Sequence, residues 1–333
     1  MQLSRFATSR RTKRADGEMG SAKRSSRWPS VLLVNGDSLD ADGYGGYGGF
    51  RVPGTQTVIR HIDDIAFKVT PTATRVYETL GGRDLADFDL VHVVSHPLPT
   101  GMLLSAIADH LEGRGRPMAN MAGIGAPTRL MQMIRLARSG VCVPRTVYLA
   151  PQNMAESYGD LVEQLGYPFL LTRLVSHRPE GERLIGGEQE FAEGCLDPVP
   201  VVAQEHIPNR GLYRLLVMGG NVVHATSTRP SYHGIADGAR PAEQLEHVQN
   251  LDPRAIQAAV EAAEAMGYET SAVLLAQHSL KRTWHVLEAH YSTNLGDGAF
   301  PALEIAAYYT YLRRHLTTRP RTHPHPRRGT LDK

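Results

Sequence analysis

The residues best suited to chemistry lie near the end of the chain, in Trp284-His285-Val286-Leu287-Glu288-Ala289-His290. Apolar residues at strand spacing end there in a carboxylate, and two residues on comes a histidine. Period-2 geometry puts Glu288 and His290 on one face of a strand. A carboxylate facing a cleft from a strand end can hold a divalent cation that also bridges phosphate oxygens. The plainer reading is a charged strand end that faces water. Three arginines elsewhere, Arg129, Arg173 and Arg229, could converge on an anionic ligand. Polyphosphate chemistry needs several such cations, because catalysis there is mostly positioning and charge stabilisation. Taken alone, each arginine reads better as a surface ion pair.

The elements that must position these groups read as alternating strands and helices. Ser30–Asn35 and Leu90–Val94 are short apolar runs of the kind that fill buried parallel strands. Helical spacing is expected over Thr72–Leu80 and Leu103–Leu111, which gives an open α/β layer. Further on, helices are expected over Thr128–Ser139, Met154–Leu165, Pro253–Met266 and Ala302–Arg314. Strands are expected over Phe169–Thr172, Val199–Gln204, Tyr213–Met218, Asn221–Thr226, Ala272–Ala276 and Thr283–Ala289. The turn Gly219-Gly220-Asn221 joins two of them as a hairpin.

Composition bounds the function classes. The chain has 333 residues, 41% hydrophobic and 21% charged, with a net charge of +2. It exceeds one average domain and can bury a sizeable core. No apolar run reaches the roughly 20 residues a membrane helix needs, so no membrane partner is expected. Residues 1–29 are rich in Arg and Ser with only Asp16 and Glu18 as acids, and 317–333 are rich in Pro, Arg and His. Neither stretch has apolar periodicity, so both are expected to be disordered tails. Nucleic acid is not the expected partner. Two cysteines, Cys142 and Cys195, fit structural thiols in a reducing compartment and a cytoplasmic location.

Gly43-Tyr-Gly-Gly-Tyr-Gly48 satisfies Gly-x-Gly-x-x-Gly, with Asp63 and Asp64 about twenty residues on. A dinucleotide site would place those glycines directly after a strand and at the start of a helix. Here seven residues separate Asn35 from Gly43, and Pro53 follows closely. A loop over a cleft is the better account, and a nicotinamide-dependent dehydrogenase the weaker rival. His92 and His96 are four apart, but on and after a strand that spacing does not join them at a metal.

A series of motifs in the second half is more specific. Asn120 precedes Thr128-Arg129-Leu130 and then Gly140-Val-Cys-Val-Pro144-Arg-Thr146. Next come Tyr167-Pro-Phe-Leu-Leu-Thr-Arg173, the loop Ser176-His-Arg-Pro-Glu-Gly181, and Val202-Ala-Gln-Glu-His-Ile207. Tyr213-Arg214, Asn221 to Arg229 and Glu288-Ala-His290 complete the order. Over about residues 118–316 this series resembles the ATP-grasp ligases, with 30–117 standing where that family keeps its N-terminal α/β domain. The resemblance implies two α+β lobes and ATP-dependent joining of a carboxylate to an amine through an acyl phosphate. The substrates would be small molecules or peptides, and a homodimer is compatible. It implies that Arg129, Arg173, His177, Gln204, Glu205, Ile207 and Arg214 bind the nucleotide. By the same resemblance Glu288 and His290 hold Mg²⁺ or Mn²⁺, and Arg229 serves catalysis.

Departures from the family pattern are concentrated at the metal. Leu274 stands where an acid is usual, His290 where Asn is usual, and both nucleotide-binding lysines are arginines. The glycine loop holds bulky charged residues. These changes support an alternative, a catalytically degenerate relative that binds a nucleotide, a peptide or a partner protein.

Overall fold

The computed structural model describes residues 28–35, 50–95, 101–121, 127–174, 182–195, 199–228, 246–291 and 301–318. The Gly43–Gly48 loop, His96, His177, Arg229 and nearly all of both expected tails lie outside those residues.

The chain opens with a parallel layer. β1 (Ser30–Asn35) pairs with β2 (Gln56–His61) on one side and β5 (Leu90–Ser95) on the other. β3 (Ile65–Thr70) and β4 (Ala73–Glu78) form a separate antiparallel hairpin. α1 (Gly101–Gly113) leads to the short β6 (Met118–Ala119), which extends the sheet to the order β2-β1-β5-β6. β1 is buried along its whole length, as its continuous apolar run requires.

The helix expected over Thr72–Leu80 is instead β4. Thr74, Val76 and Glu78 alternate with Arg75 and Tyr77, and Val76 and Glu78 turn inward. Period 2 outweighs the weak 3.6 spacing once a partner strand is available. Glu78 is buried because Arg60 Nε donates to it at 2.7 Å and the Gly81 amide at 2.8 Å. The hydrogen bonds from these groups hold its carboxyl below the usual range, against the upward push of burial.

α2 (Arg129–Arg138) then leads to β7 (Thr146–Val147). The helix expected over Met154–Leu165 is two, α3 (Pro151–Met154) and α4 (Tyr158–Leu165). β8 (Phe169–Arg173), β9 (Glu182–Ile185), α5 (Glu188–Cys195) and β10 (Val201–Glu205) follow. Their antiparallel sheet has the order β7-β10-β8-β9 and packs Phe169, Leu171 and Ala203 against Leu161, Leu165 and Phe191.

A larger antiparallel sheet closes the fold. β11 (Leu212–Met218) and β12 (Asn221–Thr228) form the expected hairpin, with β13 (Glu246–His247) at its edge. α6 (Pro253–Met266) is capped by Asp252, which accepts from the Arg254 amide, and stops at Gly267 with φ of 73°. β14 (Thr270–Gln277) and β15 (Trp284–His290) finish the order β13-β12-β11-β14-β15. One face of this sheet, with Leu215, Val217, Val273 and Val286, packs on α2 and the alanine stripe of α6. The other face contributes Leu216 and Met218 to a core shared with β1, β5 and α7 (Pro301–Thr318). α7 therefore links the parallel layer to the large sheet. Asn120 adds a polar clamp: its Nδ2 donates to Thr270 Oγ1 at 2.8 Å and Tyr291 O at 3.1 Å. Among the described residues no helix is long and apolar enough to cross a membrane.

Candidate functional site

Arg129 lies where the two antiparallel sheets meet, and strand register explains why. Thr146, Gln204, Leu170 and Leu184 are cross-strand neighbours in the small sheet, as are Val202, Thr172 and Glu182. Directly opposed residues share a face. These two rows lie on the face opposite Ala203 and Leu171, which point into the core with α4 and α5. In the large sheet, Thr226, Arg214, Leu274 and Glu288 form another such row.

The first residue of α2 bridges the rows. Thr128 caps the helix by accepting from the Met131 amide, and the Arg129 amide reaches Leu174 O at 3.4 Å. The Arg129 side chain is only 6% exposed. Its Nη1 is 3.2 Å from Glu288 Oε2, and its Nη2 is 3.6 Å from Glu182 Oε1. The same Nη2 donates to Gln204 Oε1 at 3.1 Å, and Gln204 Nε2 donates to Thr146 Oγ1 at 3.0 Å. A guanidinium this deep needs paired charge, and two carboxylates supply it.

A bulge sets the direction of Glu288. The register of β14 with β15 shifts between Leu274 and Leu275, so Leu274 faces Glu288 while Leu275 faces Val286. One extra residue changes the phase of the strand. Val286 and Ala289 consequently both point into the core, and Glu288 leaves it. His290 Nε2 is 2.9 Å from Glu288 Oε2, in keeping with the expected shared face.

The remaining site residues fall into separate groups. Glu205 is held by Arg145, whose Nε donates to its Oε2 at 3.0 Å and whose Nη2 donates to its Oε1 at 3.2 Å. Burial raises the Glu205 carboxyl, but the bonds and charge from Arg145 outweigh it and keep it below the usual range. Ile207 is buried just beyond β10, and Arg173 sits exposed at the end of β8. Arg214 turns toward α7, with Nη1 3.2 Å from Glu304 Oε1, where His224 Nδ1 also lies at 3.2 Å. Glu304 is fully buried, and burial outweighs its bond to His224 in holding that ring below the ordinary histidine value. Sequence reasoning missed Glu182, Arg145, Thr146, Thr172 and Glu304. Only Thr146 carried a signal, as the end of the Gly140–Thr146 motif.

The residues at Glu288 do not fit a magnesium site. Mg²⁺ takes near-octahedral oxygen ligands at about 2.0–2.1 Å. Here Glu288 Oε2 is shared by Arg129 and His290, and its cross-strand neighbour is Leu274. Among the described residues no three of His, Cys, Asp and Glu are grouped to hold a metal. A ligand rich in acceptor oxygens fits better. Two buried donors on this face, Arg129 Nε and Thr172 Oγ1, have no hydrogen-bond partner among the described residues. Buried polar groups are nearly always paired, so these two donors are left for acceptors from outside the chain.

The sequence matches no protein-family model and no curated protein. The structure, by contrast, matches solved ATP-grasp enzymes over most of its length. VanG D-Ala:D-Ser ligase from Enterococcus faecalis aligns with a TM-score of 0.63 and 13% identity, over 86% of this chain and 99% of the other. The ATP-grasp ligase PsnB, complexed with precursor peptide PsnA2 and AMPPNP, gives 0.61 and 17%, over 87% and 98%. The D-cycloserine synthetase DcsG gives 0.59 and 16%, over 85% and 99%. The chain has the ATP-grasp fold, with a parallel α/β layer before two antiparallel sheets.

Proposed function

We propose that this protein binds ATP between its two antiparallel sheets and uses it to join a carboxylate to an amine through an acyl phosphate. The observation that carries this reading is Arg129: a buried guanidinium joined to Gln204, Glu182 and Glu288, one residue from each of three strands. It stands at the seam of a fold shared with a D-Ala:D-Ser ligase and a D-cycloserine synthetase. Arg129 would grip phosphate, and Arg229 would stabilise the transferring group; Arg173, which shares the strand parity of Leu171, faces away from Arg129 and takes no part. Gln204, Glu205 and Ile207 would border the base and ribose.

A second reading is favoured by one observation. Leu274 places an aliphatic side chain directly across from Glu288, which suits a relative that binds nucleotide without turning it over. The two readings separate in an assay of ADP formation from ATP, supplemented with a deproteinised cell extract as the source of carboxylates and amines. The ligase reading expects ADP release that the extract stimulates and that Glu288→Gln abolishes while leaving the fold intact. ATP binding without any stimulated ADP release would leave the non-catalytic reading.

A further inference from the structure

We propose that the Arg129 guanidinium takes the place of a bridging metal, so that nucleotide phosphate binds in this cleft without a divalent cation. The inference rests on the nucleotide reading above and concerns the chemistry of that same site.

A bridging metal links a carboxylate to a phosphate oxygen. A guanidinium can make the same link, because it offers five N–H donors in a rigid fork. Arg129 donates to Gln204 through Nη2, and its Nη1 is paired with Glu288. Its Nε is buried and has no hydrogen-bond partner among the described residues. One edge of the fork therefore holds the carboxylate while another still has a donor to give. Thr172 Oγ1, also buried and lacking a partner there, adds a second donor.

The surroundings favour the guanidinium over an ion. Leu274 offers no oxygen opposite Glu288. A cation arriving at Glu288 Oε2 would have to displace both Arg129 at 3.2 Å and His290 at 2.9 Å. The looser partner of Arg129 is Glu182, at 3.6 Å and 27% exposed. An incoming phosphate oxygen would displace Glu182 from the fork and leave the Glu288 pair in place. Glu182 thus competes with the ligand for Arg129.

The test is calorimetric titration of ADP into the full chain, first in EDTA and then in excess Mg²⁺. The expected dissociation constants agree within about twofold. In EDTA, Arg129→Lys should weaken binding about tenfold or more, since a point charge cannot hold carboxylate and phosphate together. Glu182→Gln should tighten binding by removing the competing charge. Circular dichroism establishes that each variant is folded. Leu274→Asp should make binding depend on Mg²⁺ by adding a second carboxylate. Wild-type affinity that rises about tenfold or more with Mg²⁺ would overturn the inference and keep the nucleotide reading. So would an Arg129→Lys variant that binds as tightly as wild type. No binding in either condition would overturn the nucleotide reading itself, and the inference with it.

Discussion

Arg129 is buried against two carboxylates, and that arrangement has consequences for stability as well as binding. Breaking a buried ion pair by removing one partner typically costs about 3–5 kcal/mol, because the remaining charge is left uncompensated. Arg129→Met should therefore lower the unfolding free energy by about 3 kcal/mol in urea titrations. Adding Glu288→Leu should recover part of that loss, since the stranded charge is then gone. A Met variant as stable as wild type would mean that Arg129 is not held as described. Much of this cluster was legible in the sequence. Arg129, Gln204, Glu288 and His290 stand out by residue type and order, and the structure brings them together. Glu182 and Thr172 were not legible, because their place follows from the register of β8 with β9, and no local pattern encodes a long-range register.

At the scale of elements, β5 and α7 are joined through a buried histidine. His92 is 2% exposed on β5 and hydrogen-bonds Tyr308 of α7 through Nδ1. Burial is the main cause that lowers its pKa to about 3, helped by the charge of His315. The folded state therefore keeps His92 neutral well below pH 6.5, while the unfolded chain protonates it near that pH. Stability should fall as pH drops from about 6.5 toward 3, by up to roughly 1.4 kcal/mol per pH unit from this group. Urea denaturation of His92→Gln should show a shallower pH dependence over that window. An unchanged slope would mean that another group governs acid sensitivity. The same elements show where sequence patterning reached and where it stopped. β1 and β5 were readable as continuous apolar runs, and α1 and α6 because each repeats its helical period over most of its length. β4 was misread as a helix because Thr72–Leu80 carries few apolar residues. Its strand character depends on pairing with β3. β2 was not anticipated at all, since Gln56–His61 is half-polar and is defined by its parallel contact with β1.

For the molecule as a whole, α7 is the point of attachment. Its Tyr308 and Leu312 are fully buried among β1, β5 and β11, so the helix holds the parallel layer to the large sheet. Truncating a buried aromatic to Ala typically costs about 3–5 kcal/mol. Tyr308→Ala should cost that much, and it should loosen the two layers together rather than one of them. Differential hydrogen exchange can test this: faster exchange is expected in both β1 and β11. Faster exchange in only one would show that the layers are not coupled through α7. The order of layers was legible from the motif series, but the role of α7 as a link was not. A closing helix over Ala302–Arg314 can be read from the sequence, with no sign that its apolar residues meet two different sheets.

On the nucleotide reading, a nucleotide lies at the seam of the two antiparallel sheets with its phosphate on Arg129. A crystal structure of the complex with ADP, grown in EDTA, tests it most directly. A phosphate oxygen is expected within hydrogen-bond distance of Arg129 Nε, with Glu182 displaced and Glu288 still paired. ADP ordered away from this cleft, or an empty cleft at saturating ADP, would contradict the claim.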